Sequence, residues 1–226
     1  MSDELQKMLD SVHDGITTFD FEGKDTPCII IEEEKYGLIF VYWGNSPLFS
    51  LPAPPDIPQQ QAFSYAKVQD INTSYHALSL NTFDTQHYRH IHNRSFVGTP
   101  KIYQANDHAL RIDFEVTISQ RVRWVDRMMN LLNKGNFNIS IECWGTSLIA
   151  ITNHDLKVSA LVALQPIDND HTNIYLVALR EKKKKVSLLD KVRLSIAVNV
   201  LHNFLLTDHQ AMNNMRLHSA GLFDDL

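Results

Sequence analysis

The sequence predicts an α+β fold, in which a mostly antiparallel sheet of about six or seven strands packs against one long C-terminal helix. Two patterns predict it. Several segments in the middle of the chain alternate apolar and polar residues, as half-buried strands do. A longer segment near the C-terminus repeats its apolar residues at helical spacing. A curved sheet that grips such a helix leaves an apolar cavity between the two, which suits a hydrophobic ligand.

The N-terminal part of the chain predicts a short helix followed by a β-hairpin. Residues 1–26 are polar and mixed, with apolar residues at helical spacing at positions 5, 8, 9 and 12. Two apolar runs, 28–31 and 38–43, flank a charged segment that ends at Gly37, which is typical of a hairpin. The five prolines from Pro47 to Pro58 then predict an extended connector, because proline is excluded from helix interiors and central strands.

The central part of the chain predicts most of the sheet. Residues 62–69 have the pattern of a strand, and residues 72–92 that of a broken helix. Residues 101–118 predict one half-buried strand, whose apolar face comprises Leu110, Ile112, Phe114, Val116 and Ile118. Residues 122–132 predict a helix or a long excursion. A turn at residues 166–170 precedes the last of the further strands, which are expected at 137–144, 146–152, 156–164 and 173–180.

The C-terminal part predicts one long helix. Ser187 is a candidate N-cap, and Asp190 at the third helical position makes a variant of the capping box. The apolar residues keep helical spacing at positions 188, 189, 192, 196, 200, 204 and 205. We expect the helix to reach about residue 216 and the charged run at 181–185 to be a solvated loop.

Composition and charge disfavour several classes of protein. The chain has 226 residues, of which 44% are hydrophobic, and a net charge of −5. This is enough apolar material for a core, and the acidic charge disfavours a nucleic-acid partner. No apolar run approaches the roughly 18 residues that span a bilayer, and residues 1–4 show no secretory signal. Cys28 and Cys143 have no CxxC partner, so we expect buried thiols and a reducing, cytoplasmic location.

A dense polar cluster occupies residues 81–92. The chain has 11 histidines, and histidine is a common metal ligand, so the spacing of the histidines in this cluster bears on metal binding. Asp84 and His87 are three residues apart and would share one face of a helix. His87 and His92 are five apart, about 140° around a regular helix, so such a helix would not direct both at one metal ion. Either the helix breaks between them or only one is a ligand. The spacing alone is as compatible with a polar helix face that binds no metal.

Taken whole, residues 80–92 resemble the mononuclear-iron motif of Rieske-type non-haem iron aromatic-ring-hydroxylating oxygenase α subunits, Glu-Asn-x-x-Asp-x-x-His-x-x-x-x-His. Leu80 stands in place of the leading glutamate. The hairpin and the proline-rich segment are also similar to that family, so the resemblance covers about residues 27–220. The residues that match the motif are Asn81, Asp84, His87 and His92.

The resemblance implies a helix-grip fold (START/Bet v 1-like) for an oxygenase-type catalytic domain at residues 27–226, after an N-terminal extension at 1–26. It implies that His87 and His92 bind Fe(II), with Asp208 on the predicted C-terminal helix as the third ligand. Two imidazoles and one carboxylate occupy one face of an octahedral ion and leave the opposite face open for O₂ and for water that substrate displaces.

The resemblance also assigns roles beyond the ligands. In the family, the carboxylate at the position of Asp84 accepts a hydrogen bond from the first iron-binding histidine and bridges to the Rieske cluster of the neighbouring subunit. Asn81 is implied to lie near the iron. The assembly implied is a homotrimer or a mixed trimer, and the reaction is O₂-dependent hydroxylation of a hydrophobic ring substrate. Large ring systems, such as sterol-like or tetrapyrrole compounds, are the substrates that the resemblance favours.

One part of the family pattern is missing from this sequence. A Rieske [2Fe–2S] cluster needs paired cysteine and histidine ligands, and neither Cys28 nor Cys143 has a histidine at the required spacing. We therefore expect no [2Fe–2S] cluster in this chain and a separate Rieske or ferredoxin protein as electron donor. Two alternatives stay open, a non-catalytic module that binds a hydrophobic ligand and a regulatory or assembly subunit of mixed trimers. Metal content separates the oxygenase from the binding module.

Overall fold

The computed structural model divides into two compact units, residues 1–51 and residues 52–226. The boundary expected between residues 26 and 27 remains a prediction. The predicted N-terminal helix and the excursion at 122–132 lie outside the described residues. The structure describes residues 17–21, 24–36, 38–44, 49–51, 61–92, 94–118, 136–168, 170–181 and 188–212.

The first unit contains a three-stranded antiparallel sheet. Its strands, in spatial order, are β1 (Thr17–Phe21), β2 (Lys24–Lys35) and β3 (Leu38–Gly44). Strands β2 and β3 form the predicted hairpin, in which Lys35 pairs with Leu38. Strand β1 was not expected from the sequence. Residues 49–51, the described part of the proline-rich segment, form neither helix nor strand, as expected of a connector.

The second unit contains an antiparallel sheet of seven strands in its described residues. The spatial order is β4-β10-β9-β8-β7-β6-β5, so consecutive strands are neighbours from β5 to β10, and β4 pairs with β10 at one edge. This confirms the predicted antiparallel sheet. The strands are β4 (Gln61–Ile71), β5 (Arg94–Asn106), β6 (Ala109–Ile118), β7 (Asn136–Trp144), β8 (Leu148–Asn153), β9 (Val158–Pro166) and β10 (Thr172–Glu181).

The single strand predicted for residues 101–118 is wrong, because the chain reverses within it. Residues 94–118 form the hairpin β5–β6, with a turn at residues 107–108. The side chain of Asn106 accepts a hydrogen bond from the backbone N–H of His108 (2.8 Å), the local bond by which asparagine favours turns. Leu110, beside this turn, is 49% exposed, although it shares its parity with the buried Ile112.

Three helices complete the described part of the second unit: α1 (Tyr75–Asn81), α2 (Thr85–His90) and α3 (Leu188–Met212). The first two form the broken helix expected at 72–92. The predicted cap Ser187 and residues after 212 lie outside the described residues. Helix α3 packs mainly on β4 and β10, whereas α2 packs on β5 at the other edge of the sheet. The inner faces of β6 to β9 therefore border a space between these helices.

The hydrophobic core lies between α3 and the inner face of the sheet. Leu194 and Val198 on α3 are fully buried and belong to the same cluster as the inward residues of the strands. Cys143 on β7 is buried in this cluster as well, as expected for its thiol. No helix in the described part of the chain is long and apolar enough to cross a membrane.

Candidate metal centre

The chain leaves the helical path twice near the motif histidines, at the end of α1 and at the end of α2. At the end of α1, three successive N–H groups, of residues 82, 83 and 84, donate to carbonyls three residues back (3.0–3.2 Å), which tightens the last turn. Helix α2 ends at His90, so His92 lies beyond the helix that carries His87. The helix is therefore interrupted before His92. The two histidines are thus not held about 140° apart, as they would be on one regular helix.

Three ligand-type atoms converge at the centre. The Nε2 atoms of His87 and His92 lie 3.1 Å apart. The Oδ1 atom of Asp208, from α3, lies 2.6 Å from the first and 2.8 Å from the second. Both histidines are buried, and Asp208 is half-buried. The structure thus brings together the three residues that the resemblance implies, and they are the candidate metal-binding group found among its described residues.

The donor set fits a metal ion better than it fits a hydrogen-bond network. The Asp208 carboxylate can only accept, so each imidazole would have to donate from Nε2, and the two N–H groups would then face each other across 3.1 Å. A single cation in place of these protons would be bound by one lone pair from each of the three atoms, the two Nε2 atoms and Asp208 Oδ1. Adjacent ligands of an octahedral ion with bonds of about 2.1 Å lie about 3.0 Å apart. Two imidazoles and one carboxylate are the ligand set typical of non-haem Fe(II).

Burial and the neighbouring imidazoles act in opposite directions on Asp208. Burial raises the pKa of its carboxyl group most, but the hydrogen bonds and the charges of His87 and His92 together leave the pKa below its ordinary value. The carboxylate is therefore ionised at neutral pH, as a ligand must be. Burial is the main cause that raises the pKa of Tyr88, and the charges of Asp208 and Asp84 raise it further. The phenol therefore stays neutral. The phenol donates to the carbonyl of Thr82 (3.1 Å).

The other two predicted site residues lie on either side of His87. The Nδ2 atom of Asn81 is 3.1 Å from the Nε2 atom of His87, so Asn81 lies beside the candidate metal centre. Asp84 is exposed and is the N-cap of α2, where its Oδ1 atom accepts from the backbone N–H groups of Gln86 (2.9 Å) and His87 (3.2 Å). Asp84 thus contacts the main chain of His87. The resemblance implies instead a contact with the imidazole ring.

Sequence reasoning missed Phe204, which packs against His92, and Arg94, which packs on Phe204. The Phe204 ring lies edge-on to the His92 ring, with centroids 4.7 Å apart. The guanidinium carbon of Arg94 lies 5.2 Å from the centroid of the same Phe204 ring, and Arg94 is buried. Phe204 precedes Asp208 by four residues on α3, so helical spacing could have indicated its place. Nothing in the sequence pattern indicates Arg94, because it comes from the start of β5.

A cavity of about 150 Å³ adjoins the three ligand-type residues. The side chains of β6 that face it have even numbers, such as Phe114, and those of β7 have odd numbers, such as Ile141. The structure thus shows which face of each of these two strands borders the cavity. The walls are mostly apolar and include Phe114, Ile139, Ile141, Ile149, Val162 and Leu164.

Comparisons with known proteins show the fold. No protein-family model matches the sequence, and no curated protein does. Among solved structures, the terminal oxygenase of carbazole 1,9a-dioxygenase from Nocardioides aromaticivorans IC177 aligns with a TM-score of 0.53 and 13% identity, over 84% of this chain and 61% of that chain. NdmB of Pseudomonas putida CBB5 aligns with a TM-score of 0.51 and 15% identity, over 90% and 59%.

A third similar structure is that of the quaternary ammonium Rieske monooxygenase CntA bound to an inhibitor, with a TM-score of 0.54 and 11% identity. It aligns over 88% of this chain and 56% of that chain. This chain therefore spans between half and two thirds of the length of these relatives. At such identities the similarity concerns the fold alone. The second unit thus has a fold like the catalytic domain of Rieske oxygenases, which is compatible with the predicted helix grip.

Proposed function

We propose that this chain is the catalytic component of a mononuclear non-haem Fe(II) oxygenase that hydroxylates a hydrophobic ring substrate, with residues 27–226 as the oxygenase-type domain. The observation that carries the proposal is the convergence of His87 Nε2, His92 Nε2 and Asp208 Oδ1 within 3.1 Å of one another beside an apolar cavity. The fold shared with Rieske oxygenases supports it.

In the proposed reaction, a substrate R–H, one O₂, two electrons and two protons give R–OH and one water. Bound Fe(II) would supply the redox chemistry that activates O₂. His87, His92 and Asp208 would hold the ion. The apolar walls would exclude water and hold the ring of the substrate beside it. The neutral Tyr88 phenol, already bonded to Thr82, adds no charge to the cavity wall.

The electrons are proposed to come from a separate Rieske or ferredoxin protein, within a homotrimer or a mixed trimer. Asp84 is the proposed bridge to the donor's cluster. Its support is its position, since it is exposed and bonded to the main chain of His87. An exposed carboxylate at this point is available to a second protein, whereas the two histidine ligands are buried.

A second candidate function is a non-catalytic subunit that binds a hydrophobic ligand or serves regulation or assembly. The observation that favours it is the cavity, whose mostly apolar walls suit an apolar ligand whether or not a metal is bound. The two functions differ in their requirement for iron.

The test of the proposed function is metal analysis of protein purified without oxygen and supplied with Fe(II). We expect about one iron per chain, as one ligand triad of this type holds one ion. The variants His87→Ala and Asp208→Ala should each lose the iron, because each removes one of the three ligands. His90→Ala is the matched control, since His90 is exposed on the same helix and should leave the iron bound. A parent protein that binds no iron would contradict the oxygenase and favour the ligand-binding subunit.

A further inference from the structure

We infer that the substrate of this site is a carboxylic acid with a single ring, whose carboxylate binds Arg94 inside the cavity. The inference rests on the proposed function, because it names the class of molecule that the oxygenase would hydroxylate. Two independent observations carry it, the size of the cavity and the position of one buried cation in its wall.

The volume of the cavity limits the number of rings. It measures about 150 Å³. An engineered protein cavity of about this volume, lined by similar apolar side chains, binds benzene. The cavity is therefore of a size for one six-membered ring, whose carboxylate would lie at the wall on Arg94. The large sterol-like or tetrapyrrole systems favoured by the resemblance exceed it several-fold, so we expect a smaller substrate.

The cation and the candidate metal centre line the same cavity. Arg94 lines the cavity and is 6% exposed. Its guanidinium group lies over the Phe204 ring, and the edge of that ring packs against the His92 imidazole. Phe204 thus contacts both the guanidinium group and the histidine that would bind iron. A ligand anchored at Arg94 would consequently have its ring in the space next to the ligand triad.

The charges of the wall favour an anion. Among the described residues that line the cavity, Asp208 is the acidic side chain, and its carboxylate is turned toward the two histidines. A divalent ion held there leaves a net positive centre, and Arg94 adds a further positive charge. A guanidinium group has five N–H donors in a planar fork, so it is able to bond protein groups and to bind a carboxylate through two parallel bonds. The apolar remainder of the wall suits the ring.

The inference is tested by ligand binding rather than by turnover. Fe(II)-loaded protein is titrated without oxygen by calorimetry, with benzoate and with benzamide, its neutral counterpart of the same shape. We expect benzoate to bind about 10- to 100-fold more tightly, the range expected for hydrogen bonds to a charged group. Equal affinities, or binding of neither compound, would overturn the inference.

Variants of arginine locate the contact. Arg94→Gln should remove the preference for benzoate, and Arg94→Lys should keep part of it, because lysine keeps the charge but loses the planar fork. Arg89→Gln is the control, since Arg89 is exposed on α2 and should leave the preference intact. A preference that survives in Arg94→Gln would overturn the inference, because it would place the carboxylate on the metal. The comparison in the parent protein needs no variant to fold.

Two further measurements complete the test. We expect 2-naphthoate, with two rings, to bind more weakly than benzoate, and tighter binding would overturn the size limit. Iron content is measured on the same samples. Protein that holds iron but does not prefer benzoate contradicts the inference alone, whereas protein that holds no iron contradicts the proposed function.

Discussion

At the scale of single residues, Asp84 has one observed role and one proposed role, and a single substitution can separate them. Its Oδ1 atom caps α2 by accepting two backbone hydrogen bonds, and its exposed negative charge is proposed to connect the iron site to an electron donor. Asparagine caps helices about as well as aspartate but carries no charge. This substitution therefore removes the proposed role while it keeps the observed one.

We predict that Asp84→Ala lowers the free energy of unfolding by about 1 kcal/mol, the usual cost of a lost N-cap, and that Asp84→Asn lowers it far less. Urea unfolding followed by circular dichroism measures both. If Asp84 also bridges to the donor, Asp84→Asn should keep its iron and lose most of its donor-dependent turnover. Turnover unchanged in Asp84→Asn would show that Asp84 acts only as a cap.

At the scale of elements, α3 has both a structural and a functional end. Leu194 and Val198, in its first half, are fully buried in the core, whereas Phe204 and Asp208, in its second half, lie at the candidate metal centre. The packing of α3 against β4 and β10 sets the position of both halves. Helix α2 has no comparable buried area, since His87 is its single buried residue.

We predict that Leu194→Ala lowers the free energy of unfolding by about 2–5 kcal/mol, because it leaves a cavity in a close-packed core. Val192→Ala, two residues away on the exposed side of α3, should change it by no more than about 0.5 kcal/mol. Urea denaturation of the two variants and the parent protein gives the comparison. Similar losses in both variants would mean that α3 does not bury the face described here.

At the scale of the whole second unit, the cavity results from the way the helices divide the sheet. Helix α3 packs on one part of the sheet and α2 on the opposite edge strand, so the inner faces of the middle strands are left to line a space. Ile149 on β8 points into this space. The ligand site is thus a property of the whole arrangement and belongs to no single element.

We predict that Ile149→Trp abolishes the binding of one-ring ligands such as benzoate and toluene while it leaves the iron content unchanged, because the larger side chain fills the cavity and Ile149 is not one of the three ligand residues. Overpacking should lower stability by about 1–3 kcal/mol. Ile102→Trp is the control, since Ile102 is about half exposed on β5. Calorimetric titration and metal analysis check the two outcomes. Unimpaired binding in Ile149→Trp would place the ligand elsewhere.

The sheet strands were predicted where burial alternates and missed where it does not. In β6 every second residue is buried, as at Ile112, Phe114 and Val116, and this alternation is visible in the sequence. Strand β5 is an edge strand and is exposed along most of its length, so it leaves no such pattern before residue 101. The turn at residues 107–108 falls in a polar break between the two strands, Gln104 to His108, whose Asn-Asp pair is a turn signal that the prediction of one strand did not use.

The sequence alone determined the types of most elements and supplied a motif whose resemblance named His87, His92 and Asp208. It left undecided whether the two histidines could meet, and it gave no sign of Arg94. Only the tertiary structure decided these points. His87 and Asp208 are 121 residues apart, and their contact depends on the order of the strands and on the packing of α3 against them. Such long-range contacts leave no period in the sequence, because periodicity records the faces of an element and not its neighbours.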